Sequence, residues 1–93
     1  MTKAEIKKLI VDSDYKNQDV VIWWKWGYGE SGNYEITSVA TYCKYADEWF
    51  VDYSTHKFSL NYLVTTIWRC YDNLDKEDAK EYFKFKVLDV KDD

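Results

Sequence analysis

The chain has 93 residues, a net charge of −4 from 17 acidic and 13 basic side chains, and a pI near 4.9. Aromatic residues make up 19% and charged residues 32%, which excludes a disordered tail and predicts one folded domain over residues 1–93. The acidic balance, the single arginine (Arg69) and the absence of any Lys/Arg run longer than Lys7-Lys8 argue against direct nucleic-acid binding through phosphates.

Thr2 and Glu5 form a capping-box pattern that predicts a short helix from Lys3, with Ile6, Leu9 and Ile10 as its apolar stripe. Asp12-Ser13-Asp14 and Lys16-Asn17 end it. Residues 20–26 read as a strand of β-branched and aromatic side chains. Alternation sends Val20, Ile22, Trp24 and Trp26 to the core, and Val21, Trp23, Lys25 and Gly27 to the other face. Gly29-Glu30-Ser31-Gly32-Asn33 is a turn signal, and Tyr34 to Tyr45 reads as a second strand. Ala46-Asp47-Glu48 is a tight connection into a third strand, Trp49 to Tyr53.

Ser59 suits an N-cap, and Leu60, Leu63, Val64, Ile67, Tyr71 and Leu74 recur at helical spacing. Asp75 caps a short helix over residues 76–83, with Glu77 and Asp78 in its first turn. Phe83-Lys84-Phe85-Lys86-Val87 alternates as a C-terminal strand or extended segment. The expected class is α+β: an N-terminal helix, a three-stranded antiparallel meander, and an amphipathic helix plus a short helix packed on one sheet face.

No catalytic, cofactor or metal signature emerges. His56 lies in the Ser-Thr-His-Lys stretch between strand and helix, with nothing to bring it to Cys43 or Cys70. One histidine and no CxxC leave a metal without its ligands, and the thiols are expected to be reduced. Gly27-Tyr28-Gly29-Glu30-Ser31-Gly32 fits the spacing GxGxxG. That fingerprint needs a helix to follow, whereas Tyr34-Glu35-Ile36-Thr37 follows as a strand. The N-terminus has no long apolar stretch and no segment reaches the roughly 20 apolar residues of a membrane span, so a cytoplasmic location in a bacterial host is expected.

The acids are unevenly placed. Glu30, Asp47 and Glu48 fall in strand connections, and Asp72, Asp75, Glu77 and Asp78 form an acidic turn after the main helix. Trp23, on the less apolar strand face, and Tyr28, between glycines, are candidate anchors for a protein partner. The order of AEIKKLIVDSDY, a meander, SLNYLVTTIWRCYDNL and an acid-rich turn resembles the small acidic anti-CRISPR proteins of phages, some of which are DNA mimics. That resemblance implies a non-enzymatic inhibitor without cofactor that binds a basic, nucleic-acid-binding nuclease, the type II CRISPR nuclease. Trp23, Tyr28 and the seven acids named above would carry the contact. Two other readings fit the same composition: an immunity protein or antitoxin neutralising a toxin, and an aromatic-strand module for single-stranded nucleic acid or carbohydrate.

Overall fold

The structure, a computed structural model, describes residues 1–28, 34–73 and 83–90. Helix α1 spans Lys3–Asp12, strands β1 Val20–Tyr28, β2 Tyr34–Cys43, β3 Glu48–Val51 and β4 Lys57–Phe58, helix α2 Leu60–Asp72, and strand β5 Lys84–Asp89. The strands form one antiparallel sheet in the order β4-β3-β2-β1-β5. The class is α+β, with two helices packed against a five-stranded sheet.

The capping box closes α1: the Thr2 hydroxyl accepts from the Glu5 amide at 3.2 Å, and Glu5 Oε1 accepts from the Thr2 amide at 3.1 Å. That backbone hydrogen bond, with the one to the Thr2 side chain, holds the Glu5 carboxyl below its ordinary range. Ile6 and Ile10 are buried, while Leu9 is 49% exposed and faces a groove beside β5 rather than the core. In α2, Ser59 Oγ accepts from the Tyr62 amide, and Leu63, Val64 and Ile67 face the sheet as the helical period requires.

Val20, Ile22 and Trp24 are buried on β1, with Ala40, Trp49 and Phe58 beside them on β2, β3 and β4. Trp26 packs against this core from a half-buried position. Tyr15 joins from the α1–β1 connection, its ring 4.8 Å from Tyr42 and 5.0 Å from Trp49.

The number of strands and several of their ends differ from the sequence expectation, β1 among them, which runs on to Tyr28. The sheet has five strands because Lys57–Phe58 adds to β3 and the C-terminal segment pairs with β1. Two residues are too few for an alternation signal, so β4 escapes a reading by periodicity. β2 ends at Cys43, two residues before Tyr45, where Lys44–Asp47 turns with Asp47 in the left-handed region at φ 51°. Glu48 is then the first residue of β3 rather than part of the connection. That strand stops at Val51, and Tyr53 turns away at φ 65°. The expected helix over 76–83 lies outside the described residues except for Phe83, which is buried against Tyr71.

Candidate functional site

Both helices pack on one side of the sheet, and among the described residues nothing packs on the other. Residues opposite each other in an antiparallel pair share a face. The registers therefore assemble the uncovered face row by row. One row crosses all five strands: Lys57, Phe50, Thr41, Val21 and Leu88. The next carries Val39, Trp23 and Lys86, and the one beyond it Thr37, Lys25 and Lys84.

This face mixes apolar and cationic side chains. Phe50 is 45% and Leu88 48% exposed, well above what a packed interior leaves open. Val21, Trp23 and Val39 are half-buried between them. The ammonium groups lean over the rings: Lys57 Nζ lies 5.8 Å from the Phe50 centroid, and Lys86 Nζ 5.8 Å from that of Trp23. At exposed sites such contacts are worth about 0.5–1 kcal/mol each, enough to bias a lysine rotamer but not to hold it against a stronger anion. Lys57, Lys84 and Lys86 are exposed and Lys25 half-buried. The ion pairs Lys8–Asp12 at 3.4 Å and Lys16–Asp47 at 3.6 Å lie away from this face. Register brings acids to it at Glu48, opposite Cys43, and at Asp52, whose amide donates to the Val39 carbonyl at 2.9 Å.

The residues singled out from sequence fall in different places. Trp23 sits centrally on the uncovered face, between Val39 and Lys86. Tyr28 closes β1, paired with Tyr34. Asp47 occupies the β2–β3 turn, where it accepts the Tyr42 hydroxyl and faces Lys16. The Tyr42 hydrogen bond, helped by the Lys16 charge, holds the Asp47 carboxyl below its ordinary range. The same bond pushes the Tyr42 phenol up to about 12, because ionising it would remove the donor and set two anions side by side. Glu48 shares the face with Trp23, and Asp72 ends α2 in the helix layer. The fold thus brings Trp23, Glu48 and the neighbouring Asp47 to one side and separates Asp72 from them. Glu30, Asp75, Glu77 and Asp78 lie outside the described residues.

Phe50, Lys57, Lys84 and Lys86 were not singled out by sequence. The signal for two of them is in the tail, where lysines at 84 and 86 alternate with Phe85 and Val87, which pack against the core. Exposed His56 shares a groove with Glu48, Lys57, Ser59 and Tyr62, and with neither cysteine. Cys43 stands on the uncovered face and Cys70 packs on the core from α2, both as free thiols. Among the described residues no cluster of His, Cys, Asp and Glu is arranged to hold a metal ion, and no helix is long and apolar enough to cross a membrane.

Fold and face together define a class: a small α+β domain with a one-sided antiparallel sheet, whose free face carries aromatic and lysine side chains. Within that class nothing narrows the choice by likeness, since no family model, no curated protein and no solved structure matches the chain.

Proposed function

We propose that the protein is a non-enzymatic binding domain and that the uncovered sheet face is its working surface, complementary to an anionic partner. One observation carries this: Trp23, Phe50 and Leu88 stand among Lys25, Lys57, Lys84 and Lys86 on a face that no described element covers. Apolar side chains left exposed on a sheet face contribute less to folding than buried ones, and together they mark a surface that gains from being covered. Lysines around them select the sign of what covers it. Net charge is summed over the chain, whereas the fold sorts charge by face, so an acidic protein can present a cationic surface.

Amide chemical shifts of the labelled protein, followed while heparin is added as a generic polyanion, test this. Shifts should concentrate at Val21, Trp23, Val39, Thr41, Phe50 and Lys86. Shifts confined to the helices, or none at low salt, would sink it.

The nuclease-inhibitor reading draws on a second feature, the β2–β3 end. There Tyr45 is fully exposed beside Asp47 and Glu48, an aromatic anchor next to acids. Cleavage by a type II CRISPR nuclease, measured with increasing protein, checks it. Inhibition that Tyr45→Ala weakens supports this version, and undiminished cleavage at excess protein rejects it.

A further inference from the structure

We infer that the partner of the uncovered face is a single-stranded nucleic acid, its bases stacked on Trp23 and Phe50 and its phosphates held by Lys57, Lys84 and Lys86. This rests on the reading of that face as a binding surface and names the class of anion.

Three features select this class among polyanions. The first is the pairing of each ring with a lysine, Trp23 with Lys86 and Phe50 with Lys57. A nucleotide offers the same pair, a flat apolar base joined to an anion. Acidic peptides and sulfated sugars offer the anion without the base.

The second is spacing. Trp23 and Phe50 lie two strands and two residues apart, about 12 Å at strand spacings of about 4.8 Å and a rise of about 3.4 Å per residue. Bases stacked in a helix are only about 3.4 Å apart along one strand, so the two rings suit a splayed single strand and not a duplex.

The third is the position of the charge. Lys84 and Lys86 stand on β5 and Lys57 on β4, at opposite edges of the sheet, about 19 Å apart. A strand laid across the sheet therefore meets cations at both edges and rings between them. Of the acids near this face, Glu48 opens β3 and Asp52, whose amide donates to the Val39 carbonyl, follows its end, so a crossing strand runs between them over Phe50 and Thr41. Base edges meet mainly Val21, Val39 and Thr41 along the path, which read no hydrogen-bond pattern beyond one hydroxyl. Binding should thus be largely indifferent to sequence.

Fluorescence polarisation of labelled oligo-dT and oligo-U of about 20 nucleotides, with a duplex of equal length, tests the inference. Both single strands should bind, and the duplex at least about tenfold more weakly, since its bases cannot stack on the rings. Three exposed lysines predict a slope of log affinity against log salt of about −2.1, at about −0.7 per phosphate neutralised on a single strand. Lys84→Gln/Lys86→Gln should flatten it to about −0.7, whereas Lys7→Gln/Lys8→Gln on α1 should leave it unchanged. Trp23→Ala should weaken binding roughly fivefold to 150-fold, the range spanned by loss of one base stack. Phe50→Ala provides the same test at the second ring, with circular dichroism verifying that each variant is folded.

Equal affinity for duplex, equal effects of the α1 and β5 substitutions, or poly-glutamate binding the face more tightly than oligo-dT would each overturn the inference. So would a homodimer in sedimentation that Leu88→Asp dissociates, because a second copy would then occupy the face. Heparin shifts on this face without oligonucleotide binding would reject the nucleic acid and retain the binding surface. Neither signal would reject both.

Discussion

The sorting of β1 into two faces can be tested by truncating two adjacent tryptophans. Trp24 is 1% exposed on a central strand, whereas Trp23, its neighbour, is half-buried on the uncovered face. A buried tryptophan removes about 150–250 Å² from water, and its truncation to alanine costs about 3–5 kcal/mol once the cavity is included. For 93 residues the whole stability is about 5–14 kcal/mol, so Trp24→Ala should consume a large share of it. At about 5 °C per kcal/mol for a domain of this size, the melting temperature should fall by about 15–25 °C. Trp23→Ala should cost only about 1 kcal/mol, because the ring keeps much of its contact with water in the folded state. Trp24→Phe refines the measurement. The Trp24 indole N–H meets no acceptor within hydrogen-bond geometry and has only the weak Cys70 sulfur nearby, and a poorly met buried donor costs about 1–3 kcal/mol. Phenylalanine removes that donor while keeping a ring, and its net cost should stay below about 1.5 kcal/mol. Urea unfolding followed by far-ultraviolet circular dichroism gives all three values, with unchanged m-values as the check that the denatured state is the same. Equal losses for Trp23→Ala and Trp24→Ala would refute the facial assignment and the binding surface built on it.

Other outcomes follow from local geometry. Ser59→Ala removes the acceptor of the Tyr62 amide at the start of α2 and should cost about 1 kcal/mol in the same unfolding assay. The Tyr42–Asp47 bond makes one tyrosinate appear late, near pH 12, in an ultraviolet titration, and Asp47→Asn should return it toward 10. The raised phenol contributes stability that is complete below pH 10 and lost as pH climbs to about 12; the lowered Asp47 carboxyl contributes stability present above pH 3.8 and lost on acidification below it. Both groups are exposed, so the change in unfolding midpoint should be small and diminished by salt. Burial pushes the Cys70 thiol up, with the Trp24 indole N–H pulling weakly the other way. Iodoacetamide at pH 8 should therefore modify Cys70 slowly in the folded protein and much faster in urea, and equal rates would count against its packing on the core.

What the sequence makes legible depends on how many residues carry each signal. Nine alternating residues place Ile22 and Trp24 inside and Trp23 outside, and thirteen helical ones with a Ser59 cap place Leu63, Val64 and Ile67 on the sheet. Lys57–Phe58 is too short to announce itself, and only pairing with β3 makes it a strand. The proposed binding face is harder still, because it is a property of strand order. Lys57 and Lys86 are 29 positions apart, and neither charge run nor composition relates them. They share a face only because β4 and β5 flank a meander whose registers align Phe50, Thr41, Val21 and Leu88 in one row. The acids are legible one by one, yet the fold sends Asp47 to Lys16 and Tyr42, and Asp72 to the end of α2. A charge count of −4 therefore says little about what a given face will bind. Strand register decides which lysines stand together, and β5 brings two of them to the strand beside Trp23, on the face that no described element covers.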